Sequence, residues 1–199
     1  MKKNSKSGSV IVVSAPSGAG KTSICNEIVK SCPDTVYSIS YTTRLPRSGE
    51  KNGTEYFFTD KTKFKNMIKE NKFAEWAEVH GNYYGTPKTS LDKILKSGKN
   101  VLLDIDVQGG LKIKKQYLGA CMIFVMTPDI KSLKERLTLR NKDSKNTINM
   151  RMKNAKKELE SLAKYEYLVI NNKFEEAVDC VKTIIRSLEY KIQKEKKYF

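Results

Sequence analysis

The stretch "SAPSGAGKTS" (residues 14–23) ends in Gly20-Lys21-Thr22 and follows a short β-branched run, "SVIVVS" (9–14). A continuous apolar run bounded by glycine fits a strand buried on both faces, as in a parallel sheet. Beyond it, Ile24 and Ile28 stand four apart, which predicts a helix from Lys21 to about Ser31. Strand, glycine loop and helix form the context of a phosphate-binding loop, whose usual spacing is G-x-x-x-x-G-K-[ST]. Ala15 holds the first glycine position, and alanine fits there if its φ stays negative. The candidate nucleotide-phosphate site is therefore Ala15, Pro16, Ser17, Gly18, Ala19, Gly20, Lys21, Thr22 and Ser23. In such a loop inward-turned N–H groups and the helix N-terminus cradle phosphate. Gly18 and Gly20 supply the unusual backbone angles. Lys21 reaches the β/γ-phosphates, and Thr22 ligates Mg²⁺ directly or through water. The competing reading is a glycine-rich turn that merely precedes a helix.

Similar apolar runs recur at "NVLLDID" (100–106), "ACMIFVMT" (120–127) and "YLVIN" (167–171), each followed by a helical pattern. After the last, Phe174, Val178, Val181, Ile185, Leu188 and Ile192 step by three and four, one face of a helix. Strands alternating with helices predict an α/β fold, a parallel sheet covered by helices. Residues 38–86 differ: "SISYTT", "TEYFFT", "KFAEWAEV" and "NYYGT" are short β-like pieces broken by Gly49, Gly53 and Gly81. They predict a small, partly antiparallel lobe inserted in the core. Residues 136–157, "RLTLRNKDSKNTINMRMKNAKK", are highly charged and predict a mobile helical flap. The organisation expected is core over 1–37, lobe over 38–88, core over 89–135, lid over 136–157, and a core strand and helix over 158–199.

Bulk composition narrows the class. The 199 residues are 39% hydrophobic and 30% charged, a globular and not a disordered balance. No apolar run approaches the roughly 18–20 residues that cross a bilayer, and the run after the basic N-terminus is too short for a signal peptide. The expectation is a cytoplasmic protein with no membrane partner. The four cysteines, Cys25, Cys32, Cys121 and Cys180, form no C-x-x-C pair, and the single histidine is His80. Reduced thiols are expected rather than a zinc site, and His80 is expected in an exposed loop. A net charge of +16 fits either a nucleic-acid binder or a handler of small anions with a lysine-rich surface.

The insert carries a second phosphate signal. In "SYTTRLPRSGEKNGTEYFF" (40–58), Arg44 and Arg47 lie three apart beside Pro46. Guanidinium forks suit a phosphate dianion, and tyrosine hydroxyls add neutral hydrogen bonds. An exposed basic loop is the bland alternative. In "DID" (104–106), residues two apart share a strand face, so Asp104 and Asp106 both look out from the carboxyl end, where α/β proteins bind ligands. Arg136 and Arg140, four apart, share a helix face.

Taken together, "SAPSGAGKTS", "SYTTRLPRSGEKNGTEYFF", "FAEWAEVHGNYYGTP", "LLDIDVQGG", "LKERLTLR" and "INMRM" resemble the guanylate kinase family, in the family's order and over about residues 9–172. The resemblance implies a P-loop NTPase-type core with a GMP-binding lobe and a helical lid. It also implies transfer of the γ-phosphate of ATP to GMP, giving ADP and GDP, with Mg²⁺. It makes Arg44, Arg47, Tyr56 and Tyr84 the GMP phosphate ligands, and Ser40, Glu75, Thr86 and Asp106 the guanine readers. Chemistry supports Glu75: a carboxylate accepts from guanine N1–H and N2–H₂ together, donors that adenine lacks on that edge. Hydroxyls of Ser40 and Thr86 rotate to serve either acceptors or donors. Asp104 falls where P-loop proteins carry the acid near Mg²⁺. Arg136, Arg140 and Arg151 match arginines that close over the phosphates and neutralise charge in transfer. With Lys21 and Arg44 they form the expected catalytic set. Asn171 matches a position near adenine.

No general base is required, because the attacking phosphate oxygen is already anionic. The expected partners are ATP and GMP, with dGMP as a further acceptor, no nucleic acid, and a monomer or homodimer. Two other classes remain at this stage. One is a scaffold-type module that binds phosphorylated peptides in the GMP lobe, although such modules typically lose the loop lysine and flap arginines. The other is a nucleic-acid binder suggested by charge alone.

Overall fold

The computed structural model describes residues 8–79, 81–139 and 145–190. His80, Arg140, Ile192 and the C-terminal "KIQKEKKYF" lie outside these residues. The chain opens with β1 (Val10–Ser14), α1 (Lys21–Ser31) and β2 (Thr35–Tyr37). It continues through β3 (Tyr41–Thr42), β4 (Phe57–Phe58), α2 (Lys61–Lys69), β5 (Phe73–Val79) and β6 (Asn82–Pro87). The remainder is α3 (Lys88–Lys96), β7 (Asn100–Asp104), α4 (Val107–Gln116), β8 (Cys121–Met126), α5 (Ile130–Leu139), α6 (Lys145–Leu159), β9 (Tyr167–Ile170) and α7 (Phe174–Ser187).

Five strands form one sheet in the order β2-β7-β1-β8-β9, all parallel. The central strand β1 is buried along its whole length, and its side chains alternate between two cores. Ile11 and Val13 pack with Ile24 and Ile28 of α1 and Val178, Val181 and Ile185 of α7. Val10 and Val12 point the other way, to Leu91 of α3 and Ile113 of α4. Helices on both faces are why these strands read as continuous apolar runs instead of alternating ones. Because β1 sits between β7 and β8, the chain turns in opposite directions on either side of it. In an open α/β sheet that switch point is where a crevice forms at the carboxyl ends of the strands.

Strands β3 to β6 form a second sheet, β4-β3-β6-β5, with β3 and β4 parallel and the other pairs antiparallel. It is the mixed lobe anticipated from the broken β-like pieces, with one addition. Helix α2 stands between β4 and β5, capped by Asp60, whose side chain accepts from the Lys63 N–H. Its sequence "KTKFKNMIK" hides the helix because Phe64 is its one buried residue. That ring stacks on Phe73 at 4.5 Å and on Tyr83 at 5.5 Å, joining α2 to β5 and β6.

The charged segment 136–157 spans the end of α5 and most of α6. Arg136 lies in α5, which is anchored in the core by Leu133 and Leu137. Helix α6 follows and buries Ala155, with Ile148, Met152 and Leu159 half-buried beside it. Apolar residues spaced by three and four among the lysines make this face, which the charge density masks.

Removing the ring that ties α2 to the lobe is expected to cost about 3–5 kcal/mol. Urea unfolding of Phe64→Ala measures it, and an unchanged midpoint would show that α2 is an ornament on the lobe.

Candidate active site

The glycine loop leaves β1 and enters α1 through Gly20, which has φ 91° and gives the helix no side-chain cap. The first N–H groups of α1 therefore point out of the helix unclaimed by a capping side chain. Gly18 has φ 95°, whereas Ala15 has no positive φ and is buried in the core. Alanine therefore fits the first loop position without strain. Gly20 is needed for close approach as well as for its angle: a Cβ there would collide with Asn171 Nδ2.

Asn171 follows β9 and is 5% exposed. Its side-chain amide donates to the Ala19 carbonyl at 2.7 Å, and its own carbonyl accepts from Arg136 Nη2 at 2.8 Å. Here it holds the loop backbone and seats an arginine of α5.

Asp104 ends β7 and is the most heavily bonded acid of the site. Its Oδ1 accepts from Lys21 Nζ at 2.7 Å. Its Oδ2 accepts from Thr22 Oγ1 at 2.8 Å and from the Tyr37 hydroxyl at 2.9 Å. Burial alone would raise this carboxyl, but the Lys21 charge and the three donors outweigh it and hold it below the usual carboxylate range. Lys21 Nζ also donates to the Ile105 carbonyl at 3.0 Å. Although burial disfavours its charge, Asp104 keeps the ammonium pKa above its ordinary value. Sequence reasoning missed Tyr37, which ends β2, a three-residue strand too short to show alternation.

In the lobe, Glu75 is buried and paired in register with Thr86 across β5 and β6. Its Oε1 accepts from Thr86 Oγ1 at 2.6 Å. A register shift between Phe73 and Glu75 marks a bulge, a device that re-aims a strand side chain. Gly109 of α4 completes the fit, since a Cβ there would lie 2.6 Å from Glu75 Oε2. Burial, opposed by the Thr86 bond and assisted by Asp106, pushes the Glu75 carboxyl up to about 7. Asp106 caps α4: its Oδ1 accepts from the Gly109 N–H at 2.8 Å.

Arg44 is braced before any ligand arrives. It donates to Glu50 Oε1 at 2.8 Å and to the Leu45 carbonyl at 2.7 Å. It lies over the rings of Tyr56 and Phe58 at 5.5 and 5.8 Å. The other Glu50 oxygen accepts from the Arg47 backbone N–H at 2.7 Å. The Arg47 side chain stands exposed at the rim. Glu50, six residues past Arg44, carried no sequence signal for this role.

These groups line two adjoining cavities. One, of about 210 Å³, is bordered by Ser40, Tyr56, Glu75, Tyr84 and Asp104. The other, of about 260 Å³, follows the loop from Ala15 to Gly18 and from Gly20 to Ser23. Lys21, Thr22, Val79 and Asp106 border both, so the two spaces meet at the loop lysine. From α6, Arg151 Nη1 donates to Ser17 Oγ at 3.3 Å. Glu158 of α6 lines the loop cavity too, and burial, partly offset by Lys21, pushes it up to about 7.

Comparison with known proteins identifies the family. The family described as guanylate kinase matches residues 7–188. A protein of Clostridium perfringens (strain 13 / Type A) named guanylate kinase is 45% identical over 178 residues, 89% of this chain and 82% of that one. One from Caldanaerobacter subterraneus subsp. tengcongensis is 42% identical over 191 residues, 96% of this chain and 93% of that one. The crystal structure of guanylate kinase from Anaplasma phagocytophilum superposes with a TM-score of 0.79 at 31% identity, covering 94% of this chain and 88% of the other.

The raised Glu75 carboxyl has a stability consequence. Folding favours its protonated form, so its contribution is present below pH 4.5 and is lost as pH rises through about 7. An ionised Glu75 then costs on the order of 3 kcal/mol. Glu75→Gln is therefore expected to be more stable than the parent at pH 8, with the gap closing near pH 5. Equal gaps at both values, read by urea unfolding, would contradict the burial assigned to Glu75.

Proposed function

The chain belongs to the guanylate kinase family and is an ATP:GMP phosphotransferase, and we propose how its residues divide that work. The observation that carries the proposal is the junction of the two cavities at Lys21 and Thr22. A donor phosphate chain laid along the loop and an acceptor phosphate in the lobe would meet there.

On the donor side, the uncapped start of α1 and the loop N–H groups bind the ATP phosphates. Lys21 turns from Asp104 to the β/γ-oxygens. Arg136 and Arg151, already seated beside the loop, converge on the transferring group, with Arg140 expected to join them. Asn171 fixes the loop backbone on which these groups depend.

On the acceptor side, Arg44, Arg47, Tyr56 and Tyr84 hold the GMP phosphate. Glu50 braces the Arg44 side chain and the Arg47 backbone, and for Arg44 this lowers the rotamer freedom lost on binding. Glu75 in its ionised form accepts from guanine N1–H and N2–H₂, with Thr86 fixing one of its oxygens. Ser40 and Asp106 border the same space. Adenine would leave the buried carboxylate without partners, which discriminates by as much as roughly 10⁴-fold. With both phosphates in line, transfer needs alignment and neutralised charge but no general base.

Thr22 Oγ1 and Asp104 Oδ2 are hard oxygen donors 2.8 Å apart, a set that fits Mg²⁺ completed by phosphate and water oxygens. Mg²⁺ held by these residues would supply charge neutralisation for the transferring phosphate. Among the described residues no helix is long and apolar enough to cross a membrane. With Cys25 and Cys121 buried, we place the protein in the cytoplasm.

A panel of four nucleoside monophosphates with ATP, read by ADP formation, tests the proposal. GMP is expected to turn over at least 10³-fold more efficiently than AMP, and Lys21→Met to lose about 10²–10³ in kcat. GMP binding without turnover in the parent would make the chain an interaction module instead. An unchanged kcat in the lysine variant would remove Lys21 from the chemistry.

A further inference from the structure

Among the described residues, Tyr37 is the one side chain bonded to Asp104 that borders neither cavity. The other two donors, Lys21 and Thr22, border both cavities and are the groups that a nucleotide and its metal claim on binding. Once they change partners, the Asp104 carboxylate loses two of the three bonds that fix its rotamer. Only the Tyr37 hydroxyl, at 2.9 Å from Oδ2, has no competing task.

We propose that Tyr37 is a positioning residue: it holds the Asp104 carboxylate in its metal-facing orientation while Lys21 and Thr22 exchange partners. The inference rests on the reading of Thr22 and Asp104 as the Mg²⁺ site.

The fold makes Tyr37 suited to the task. It ends β2, whose register places Tyr37 opposite Leu102, two residues before Asp104 on the adjacent strand β7. Donor and acceptor thus come from paired strands at the same edge of one sheet, so the backbone ladder fixes their separation. The Ser38 N–H, one residue on, donates to the Leu102 carbonyl at 3.1 Å and extends that ladder past the tyrosine. The ring packs against the core cluster that contains Ile24 and Ile28 of α1, which restricts its rotation. A phenol donates through its one O–H, and at 2.9 Å that donor is directed at Asp104 Oδ2. Outer-shell hydrogen bonds of this kind commonly set metal affinity, and removing one costs about 10–100-fold.

Tyr37→Phe deletes one oxygen and keeps the ring. Two readouts test it on the full chain. In the first, the Mg²⁺ concentration for half-maximal turnover is expected to rise about 10-fold, with KM for GMP unchanged. In the second, Mn²⁺ binding to the ADP complex, followed by electron paramagnetic resonance, is expected to weaken by a similar factor without any turnover. A merely structural tyrosine would lower the unfolding midpoint and leave both metal readouts unmoved, which would overturn the inference. A variant that loses GMP affinity alone would overturn it as well, by moving Tyr37 to the acceptor clamp. Asp104→Asn separates the layers. If it also leaves Mn²⁺ binding untouched, the metal reading itself fails. If it weakens Mn²⁺ binding while Tyr37→Phe does not, only the role of Tyr37 falls.

Discussion

The Lys21–Asp104 ion pair is the constraint on which the site is built. Two charges taken out of water are stable there because every oxygen of the acid is bonded: Lys21 on one side, Thr22 and Tyr37 on the other. Replacing a buried pair by apolar residues often stabilises a protein, whereas removing one partner costs about 3–5 kcal/mol. A pair of this type is therefore weak evidence of a need for stability. Its placement at the mouth of the glycine loop, between two cavities, points to chemistry instead. Helix α1 and strand β7 contribute its two ends and strand β2 a further donor, so the carboxyl edge of the sheet is held together around Asp104.

The lobe is organised around a second buried acid with the opposite balance. Asp104 is surrounded by donors and stays ionised. Glu75 has the Thr86 donor, but little solvent and a neighbouring Asp106 outweigh it and raise its carboxyl to about 7. Guanine N1–H and N2–H₂ would add the donors that favour its ionised form. Buried acids of this kind are what a site keeps when recognition outweighs stability. Arg44, by contrast, enters binding already oriented by Glu50 and two aromatic rings.

What could be read from the sequence follows from how local each signal is. The glycine loop, the strand before it and the helix after it lie within about 20 residues, and the α/β alternation around them needs no tertiary information. Ser40, Tyr56, Glu75 and Tyr84 were legible only through the resemblance, yet they border one cavity together. Tyr37, Glu50 and Glu158 were not legible. Each acts on a site residue through a side-chain contact or a shared cavity that no periodicity encodes. Helix α2 was hidden because only Phe64 faces inward, and α6 because lysines flank its apolar stripe. The bond from the Asn171 amide to the Ala19 carbonyl was not legible either, because it depends on how β9 ends beside the loop.

The central claim is that nucleotide binding transfers Lys21 from Asp104 to phosphate while the acid keeps its orientation. A crystal structure with GMP and a non-hydrolysable ATP analogue tests this directly. The account predicts Lys21 Nζ on a β- or γ-phosphate oxygen, Glu75 on the guanine edge, and Asp104 still bonded to Tyr37. Lys21 remaining 2.7 Å from Asp104 Oδ1 with both nucleotides in place would contradict it.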